Sequence, residues 1–93
     1  MKKVYRDYLK CEINDGMFPC EYLITAKLYD GKEVEGFFDK CFVDKQKGLE
    51  VKVVESCGDK TTIIAPQYGF IDFFGNQWIK VVNTDQLTQN PQL

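Results

Sequence analysis

The clearest pattern of hydrophobic and polar positions in this chain lies on either side of the pair Asp30-Gly31. Residues 22–28 and residues 32–38 both alternate between apolar and polar side chains, as half-buried antiparallel strands do. An Asp-Gly pair accepts the positive φ angles that a two-residue type I′ turn requires. We therefore predict a β-hairpin, with a bulge or sharp bend at Gly36, where two adjacent phenylalanines interrupt the alternation.

Two more strands follow the hairpin. Leu49, Val51 and Val53 alternate with charged residues, which predicts a third strand with one buried face. Residues 61–65 are rich in β-branched side chains and stop at Pro66, which predicts a fourth.

The last strand signal is a pair of short runs, residues 70–74 and 77–82, around the tight-turn dipeptide Gly75-Asn76. These runs contain most of the aromatic side chains in the second half of the chain, so they predict an aromatic hairpin. Residues 84–93 are almost entirely polar, and we predict that they form a flexible tail.

The N-terminal segment has a different period from the rest of the chain. Within residues 3–13 the apolar positions are close to a helical stripe, which predicts a short amphipathic helix. A strand is the alternative, because tyrosines also suit sheets. The stripe consists of Val4, Tyr5, Tyr8, Leu9 and Ile13.

The predicted fold is therefore mainly β. A chain of 93 residues fits a single domain, which we place at residues 1–83. Its N-terminal helix would cap a five-stranded, strongly bent antiparallel sheet, closed or nearly closed into a small barrel. A helix that lies across a more open sheet is the second arrangement.

The segment 28–36 contains the spacing Gly-x-x-hydrophobic-x-Gly at Gly31, Val34 and Gly36. This spacing resembles the start of the first motif of the Sm-like group of small SH3-like barrels. The resemblance covers residues 3–82 in outline, implies a helix followed by five bent strands, and makes RNA binding an expectation. The second motif differs, because residues 73–76 read Phe-Phe-Gly-Asn where an Arg-Gly or Lys-Gly pair is expected. No RNA-contacting residue of the group is therefore carried over.

The charge of the chain gives nucleic-acid binding only local support. Twelve basic and fourteen acidic side chains leave a net charge of −2, which does not favour nonspecific capture of phosphate backbones. The first ten residues are net positive, and Lys45 with Lys47 adds a small basic loop. Single-stranded nucleic acid at these two lysines is thus the alternative function.

Composition argues against an enzyme. The chain has no histidine, which excludes Ser-His and Cys-His triads and removes the commonest metal ligand. An exposed Cys57 is the best nucleophile candidate, but no histidine can activate it. Alternate positions Glu33 and Glu35, with Asp39 beyond them, predict a solvated strand face rather than an acid-base cluster.

The four cysteines lack the paired Cys-x-x-Cys spacing of zinc ribbons, so we predict reduced thiols and no metal or cofactor. A disulfide between Cys11 and Cys20 is the alternative. The sequence shows neither a secretory signal nor an apolar run long enough to span a bilayer, which predicts a cytoplasmic protein without membrane contact. The cysteines are Cys11, Cys20, Cys41 and Cys57.

The best functional clue is a concentration of aromatic residues that one small core cannot readily bury. Aromatic side chains are frequent anchors of protein interfaces, because they bury a large area at low rotamer cost. We predict a noncatalytic protein-binding module that uses this aromatic segment and an exposed strand edge; pairing of edges into a homo-oligomer is the related alternative. The predicted partner-binding residues are Tyr68, Phe70, Phe73, Phe74 and Trp78.

Overall fold

The computed structural model describes residues 7–89, and β-strands dominate this part of the chain, which confirms the prediction of a mainly β protein. A 3-10 turn, Lys40–Phe42, leads into β5, and a second, Thr84–Gln86, leads into β9. None of residues 7–89 belongs to a helix long and apolar enough to cross a membrane. The strands are β1 Asp7–Leu9, β2 Glu12–Asp15, β3 Glu21–Lys27, β4 Glu33–Asp39, β5 Val43–Asp44, β6 Gly48–Cys57, β7 Lys60–Ile64, β8 Ile79–Asn83 and β9 Leu87–Gln89.

The strands form two antiparallel sheets, and the predicted five-stranded barrel is wrong. The larger sheet has the order β8-β7-β6-β1-β9, with β5 paired to the start of β6, and the smaller sheet has the order β2-β3-β4. Between β4 and β8 lies the loop that joins β7 to β8, and its one ladder-type pairing with β4 within the described residues is an isolated bridge from Ile71 to Glu35. Because this loop occupies the gap, no ladder of strands closes the sheets into a barrel.

The predicted N-terminal helix is also wrong, because residues 7–15 form β1 and β2. Leu9 is fully buried and lies between Leu49 of β6 and Leu87 of β9 in the sheet. Pairing with strands distant in sequence thus overrides a local helical stripe, and the alternative of a strand is the correct one. Residues 3–6 of the predicted helix lie outside the described residues.

The hairpin around Asp30-Gly31 is confirmed, with a different turn. Strands β3 and β4 pair from Lys27–Glu33 to Glu21–Asp39 without interruption. Gly31 has a φ of 91°, whereas Asp30 keeps a negative φ, so the turn is not type I′. A loop with one residue in the left-handed region, glycine, is the next most common hairpin connection.

No bulge forms at Gly36, because the register of β3 and β4 is continuous there. A Cβ atom at Gly36 would lie 2.8 Å from the Phe38 ring and 3.0 Å from the Gly69 carbonyl oxygen. The glycine therefore makes room for a core ring and for the β7–β8 loop. The irregularity occurs instead in β6, between Val53 and Glu55.

The two sheets share one hydrophobic core, to which β1, β3, β4, β6, β7 and β8 contribute. Phe38 of β4 and Phe70 of the β7–β8 loop meet edge to face at its centre, with ring centroids 5.3 Å apart. The predicted third and fourth strands, β6 and β7, are confirmed and bury one face each. The buried apolar residues are Leu9, Ile24, Ala26, Val34, Phe38, Leu49, Val51, Ile63, Ala65, Phe70 and Val82.

The start of the polar segment 84–93 is built into the fold rather than free as a tail. Strand β9 pairs with β1, and the Gln86 amide donates to the Lys27 carbonyl oxygen at 2.9 Å. The Gln86 side-chain oxygen accepts from the Asn83 backbone N–H at 2.9 Å. Residues 84–89 therefore stabilise the edge of the larger sheet, and residues 90–93 lie outside the described residues.

Candidate functional site

The segment 65–78, here called the aromatic loop, joins β7 to β8 and contains all five predicted partner-binding residues. Residues 70–74 do not form a strand, so the predicted aromatic hairpin is wrong. The Asp72 carboxylate accepts hydrogen bonds from the backbone N–H groups of Phe74 and Gly75, at 3.0 and 2.9 Å. Such an Asx turn competes with a strand ladder for the same donors, which explains the loop.

The loop separates its aromatic side chains into exposed and buried sets. Tyr68 is 82% exposed, Phe73 is 89% exposed, and Phe74 is completely exposed. Trp78 is exposed over part of its surface. Phe70 is only 1% exposed, so its predicted role in partner binding is wrong; its ring belongs to the core.

Hydrogen bonds hold the aromatic loop in one conformation. The Ala65 N–H donates to the Trp78 carbonyl oxygen at 2.8 Å, and the Phe70 N–H donates to that of Gln77 at 2.8 Å. The Trp78 indole N–H donates to the Gln67 carbonyl oxygen at 2.9 Å. Trp78 therefore fixes the shape of the loop as well as contributing to its surface.

Backbone strain is concentrated at the start of the loop. Gln67 has a φ of 53°, the one positive value for a residue other than glycine within the described part of the chain. Its side-chain oxygen accepts a hydrogen bond from the Asp39 N–H of β4 at 2.7 Å. Its backbone carbonyl oxygen accepts the hydrogen bond from the Trp78 indole. A strained residue persists only where its surroundings determine its conformation, and such residues are frequent at binding sites.

An ion pair attaches the loop to β8. Lys80 is 6% exposed because β8 turns it toward the interior, while Ile79 and Val81 face solvent. Its ammonium group donates a hydrogen bond to the Asp72 carboxylate, and the two form an ion pair. This hydrogen bond, and then that from the Phe74 N–H, lowers the pKa of Asp72 below its ordinary value. One carboxylate thus neutralises a buried cation and shapes the turn that presents Phe73 and Phe74.

The strand edges beside the loop are covered at specific positions. The Ile71 N–H donates to the Glu35 carbonyl oxygen of β4 at 2.6 Å, and the Tyr29 N–H donates to the Val81 carbonyl oxygen of β8 at 2.8 Å. A partner that binds at the aromatic loop would therefore recognise side chains more than unpaired backbone groups.

A groove of about 350 Å³ lies between the aromatic loop and the β3–β4 turn. Its apolar walls come from Leu28, Val34 and Ile71, with Phe73 and Phe74 at the side of the loop. A smaller cleft of about 160 Å³ lies beside Tyr68 on the β4 side. The exposed rings are thus bordered by concave surface, the shape that accepts a partner's side chains.

The alternative site residues Lys45 and Lys47 lie in the turn between β5 and β6, where Lys10 joins them around a cleft of about 150 Å³. The Lys45 ammonium lies 5.4 Å from the centroid of the Tyr22 ring, and that of Lys47 lies 5.4 Å from the Tyr8 ring. Each of these lysines therefore makes a cation–π contact with one tyrosine ring.

The cysteines are free thiols in the structure, including Cys11 and Cys20 of the alternative disulfide. Burial raises the pKa of Cys11 to about 11. The pKa of Cys41 is raised too, first by burial and then by the hydrogen bond and charge of Asp39. Cys57 is exposed at the end of β6. No group of three or more metal-ligating side chains occurs within residues 7–89.

The residues that position the loop were not found from the sequence. Lysine is expected at the surface, so the inward position of Lys80 on an edge strand gives no sequence signal. Asp72 and Asn76 could have been found, because Asp and Asn followed by small or polar residues are typical of Asx turns. Asn76 accepts from the backbone N–H groups of Trp78 and Ile79 at 2.8 and 2.9 Å.

Comparison of the chain with protein-family models, with curated proteins and with solved structures finds no match in any of the three.

Proposed function

We propose that the protein is a noncatalytic binding module that recognises a protein partner through the aromatic loop. The observation that carries this proposal is the near-complete exposure of Tyr68, Phe73 and Phe74 on one loop. Large contiguous apolar surfaces are uncommon on proteins that act alone, and they mark interaction sites. Aromatic side chains are the commonest anchors at such sites.

The fixed conformation of the loop supports the same proposal. Ordering a flexible loop on binding reduces affinity, by about 0.5–1.5 kcal/mol for each side chain that is immobilised. In this protein the backbone hydrogen bonds, the Gln67 contacts and the Asp72–Lys80 pair already order the loop. The free protein therefore presents its aromatic residues in a conformation suited to binding.

The proposal predicts that the double variant Phe73→Ala/Phe74→Ala loses its partner while the fold remains intact. Two anchors at the centre of an interface contribute about 2 kcal/mol each, so binding should weaken by a factor of roughly 1,000. Tagged wild-type protein and the double variant are used in parallel as baits, and captured proteins are quantified by mass spectrometry.

Val54→Ala provides the matched control, because Val54 is an exposed apolar residue on β6, outside the loop. Proteins that bind through the aromatic loop should be retained by the wild type and by the control and lost by the double variant. Equal capture of the same proteins by all three baits would rule out the loop as the binding surface.

Binding of single-stranded nucleic acid at the basic cleft is the second candidate function. The observation in its favour is that the structure brings Lys10 together with Lys45 and Lys47. Three converging lysines can contact a phosphate backbone.

The second candidate predicts weak, salt-dependent binding of a single-stranded oligonucleotide. With three phosphate contacts, log K should fall with log salt concentration with a slope of about −2. Fluorescence anisotropy of a labelled oligothymidine measures this, with Lys45→Ala/Lys47→Ala as the test variant and Lys52→Ala, on β6, as the control. Binding that is independent of salt, or equal in both variants, would eliminate this candidate.

A further inference from the structure

Strand β4 presents a row of acidic side chains next to the aromatic loop. Along β4, Val34, Gly36 and Phe38 face the core, so the intervening positions face outward. Glu33 and Glu35 are exposed, and the partly exposed Asp39 completes the row. We call Glu33, Glu35 and Asp39 the acidic stripe.

The acidic stripe and the aromatic loop run side by side. Glu33 lines the groove of about 350 Å³ together with Phe73 and Phe74. At the other end, Asp39 lines the cleft of about 160 Å³ together with Tyr68. Six residue steps along β4 separate Glu33 from Asp39, a length of about 20 Å. Phe37 faces outward between Glu35 and Asp39, and each end of the acidic stripe has a carboxylate and an exposed aromatic ring beside a concavity.

The three carboxylates of the acidic stripe form no ion pair with any other residue of the range 7–89. Glu35 accepts a long hydrogen bond, 3.5 Å, from the Thr25 hydroxyl, and Asp39 accepts from the Cys41 N–H at 3.0 Å.

The lysines closest in sequence and register form no ion pair with the acidic stripe. Lys27 is opposite Glu33 in the register, Lys32 precedes Glu33 and lines the same groove, and Lys40 follows Asp39. At the other end, Glu21 is opposite Asp39 and adds a further carboxylate.

We propose that the segment bound at the aromatic loop is cationic: an extended peptide with arginine or lysine at alternating positions. This inference rests on the proposed function and specifies the chemistry of the partner. Carboxylates at alternate strand positions are about 6.6 Å apart, which is also the spacing of alternate side chains in an extended peptide. Arginine pairs with a carboxylate through two parallel hydrogen bonds.

The aromatic residues strengthen the match to a cationic apolar segment. Exposed phenylalanine and tyrosine rings attract cations over their faces and also pack against the methylene groups of arginine and lysine. An acidic segment, or a nucleic-acid backbone, would be repelled by the acidic stripe. The acidic stripe and the aromatic loop therefore favour the same class of partner.

The test uses an N-acetylated, C-amidated octapeptide in which arginine alternates with leucine. Trp78 is the one tryptophan of the chain and lies in the aromatic loop, so its fluorescence reports on binding there. The wild type should bind this peptide, and a matched peptide with glutamate in place of arginine should not bind. Affinity should decrease as salt concentration rises.

The test variant Glu33→Gln/Glu35→Gln should bind the arginine peptide roughly tenfold more weakly, because two partly screened ion pairs are lost. The control Glu55→Gln/Asp85→Asn also removes two exposed carboxylates, on β6 and in the second 3-10 turn, and should bind like the wild type.

Two results would overturn the inference. In the first, the Glu33→Gln/Glu35→Gln variant binds the arginine peptide as tightly as the wild type does. In the second, the wild-type protein does not bind the arginine peptide. The proposed function is judged separately, by the capture experiment with Phe73→Ala/Phe74→Ala. If that variant loses captured partners while the glutamine variant keeps them, the aromatic loop is the binding site and the cationic partner is wrong. Analytical ultracentrifugation tests whether a second copy of the chain occupies the aromatic loop. If it does, the inference of a cationic peptide is also overturned.

Discussion

Phe70→Ala is expected to lower the free energy of unfolding by about 3–5 kcal/mol, the range for loss of a buried aromatic side chain. The Phe70 ring is buried against Phe38 at the meeting point of both sheets, so its removal leaves a cavity that the strands cannot easily close. Chemical denaturation followed by circular dichroism measures the effect.

Phe73→Ala is the matched control, because the same substitution three residues later removes an exposed ring. Its effect on stability should stay within about 0.5 kcal/mol, as for most surface substitutions. The difference in stability loss between the two variants distinguishes a ring that belongs to the core from a ring that is exposed on the aromatic loop. Equal destabilisation by the two variants would mean that the structure assigns the two rings incorrectly.

The second large effect is expected at the Asp72–Lys80 pair. Asp72→Ala leaves the Lys80 ammonium buried without its counter-charge and removes the acceptor for two backbone N–H groups. Removal of one partner is strongly destabilising when the charge left behind is buried. Lys80→Met leaves the Asp72 carboxylate, which is 21% exposed and still accepts two backbone hydrogen bonds, so that variant should lose less. Asp72→Ala should therefore lower the melting temperature by several degrees more than Lys80→Met does. A greater loss for Lys80→Met would contradict this explanation.

The same pair predicts how stability depends on pH. The pKa of Asp72 is lowered in the folded protein, by Lys80 first and by the Phe74 N–H second. A carboxyl group with a lowered pKa stabilises the fold above its unfolded pKa of about 4, and this contribution is lost as the pH falls through the folded value. Stability should thus decrease more steeply with acidification in the wild type than in Asp72→Asn. The difference between the two should narrow below about pH 4.

The sequence predicts those elements whose pattern is local. Strand alternation together with a turn dipeptide was sufficient for the β3–β4 hairpin, for β6 and for β7, because half-buried strands show their period directly. The exact turn at Asp30-Gly31 was wrong, since the dipeptide permits positive φ at both positions but does not require it.

The errors concern elements that depend on distant contacts. The apolar residues of 3–13 suit either a helix or a strand, and only pairing of β1 with β6 and β9 decides between them. The prediction of a closed barrel is wrong for a related reason. The sequence does not show that the β7–β8 loop occupies the gap beside β4.

The sequence predicts an aromatic segment with more rings than the core can bury, but it does not predict which rings are buried and which are exposed. Alternation assigned Phe70 and Phe74 to one face of a strand, but Asp72 turns the chain between them and sends one ring inward and the other to solvent. Asp72 and the inward-facing Lys80 position the loop through their contact with each other, which residue types alone do not reveal.

The most direct test of the aromatic loop as a binding surface is site-specific photo-crosslinking. A benzoylphenylalanine is placed at position 74 in one protein and at position 54, the exposed residue on β6, in another. After irradiation of a cell extract, position 74 should form a discrete covalent complex with a partner protein, and position 54 should not. Absence of a complex at position 74, or the same complexes at both positions, would contradict the proposed function.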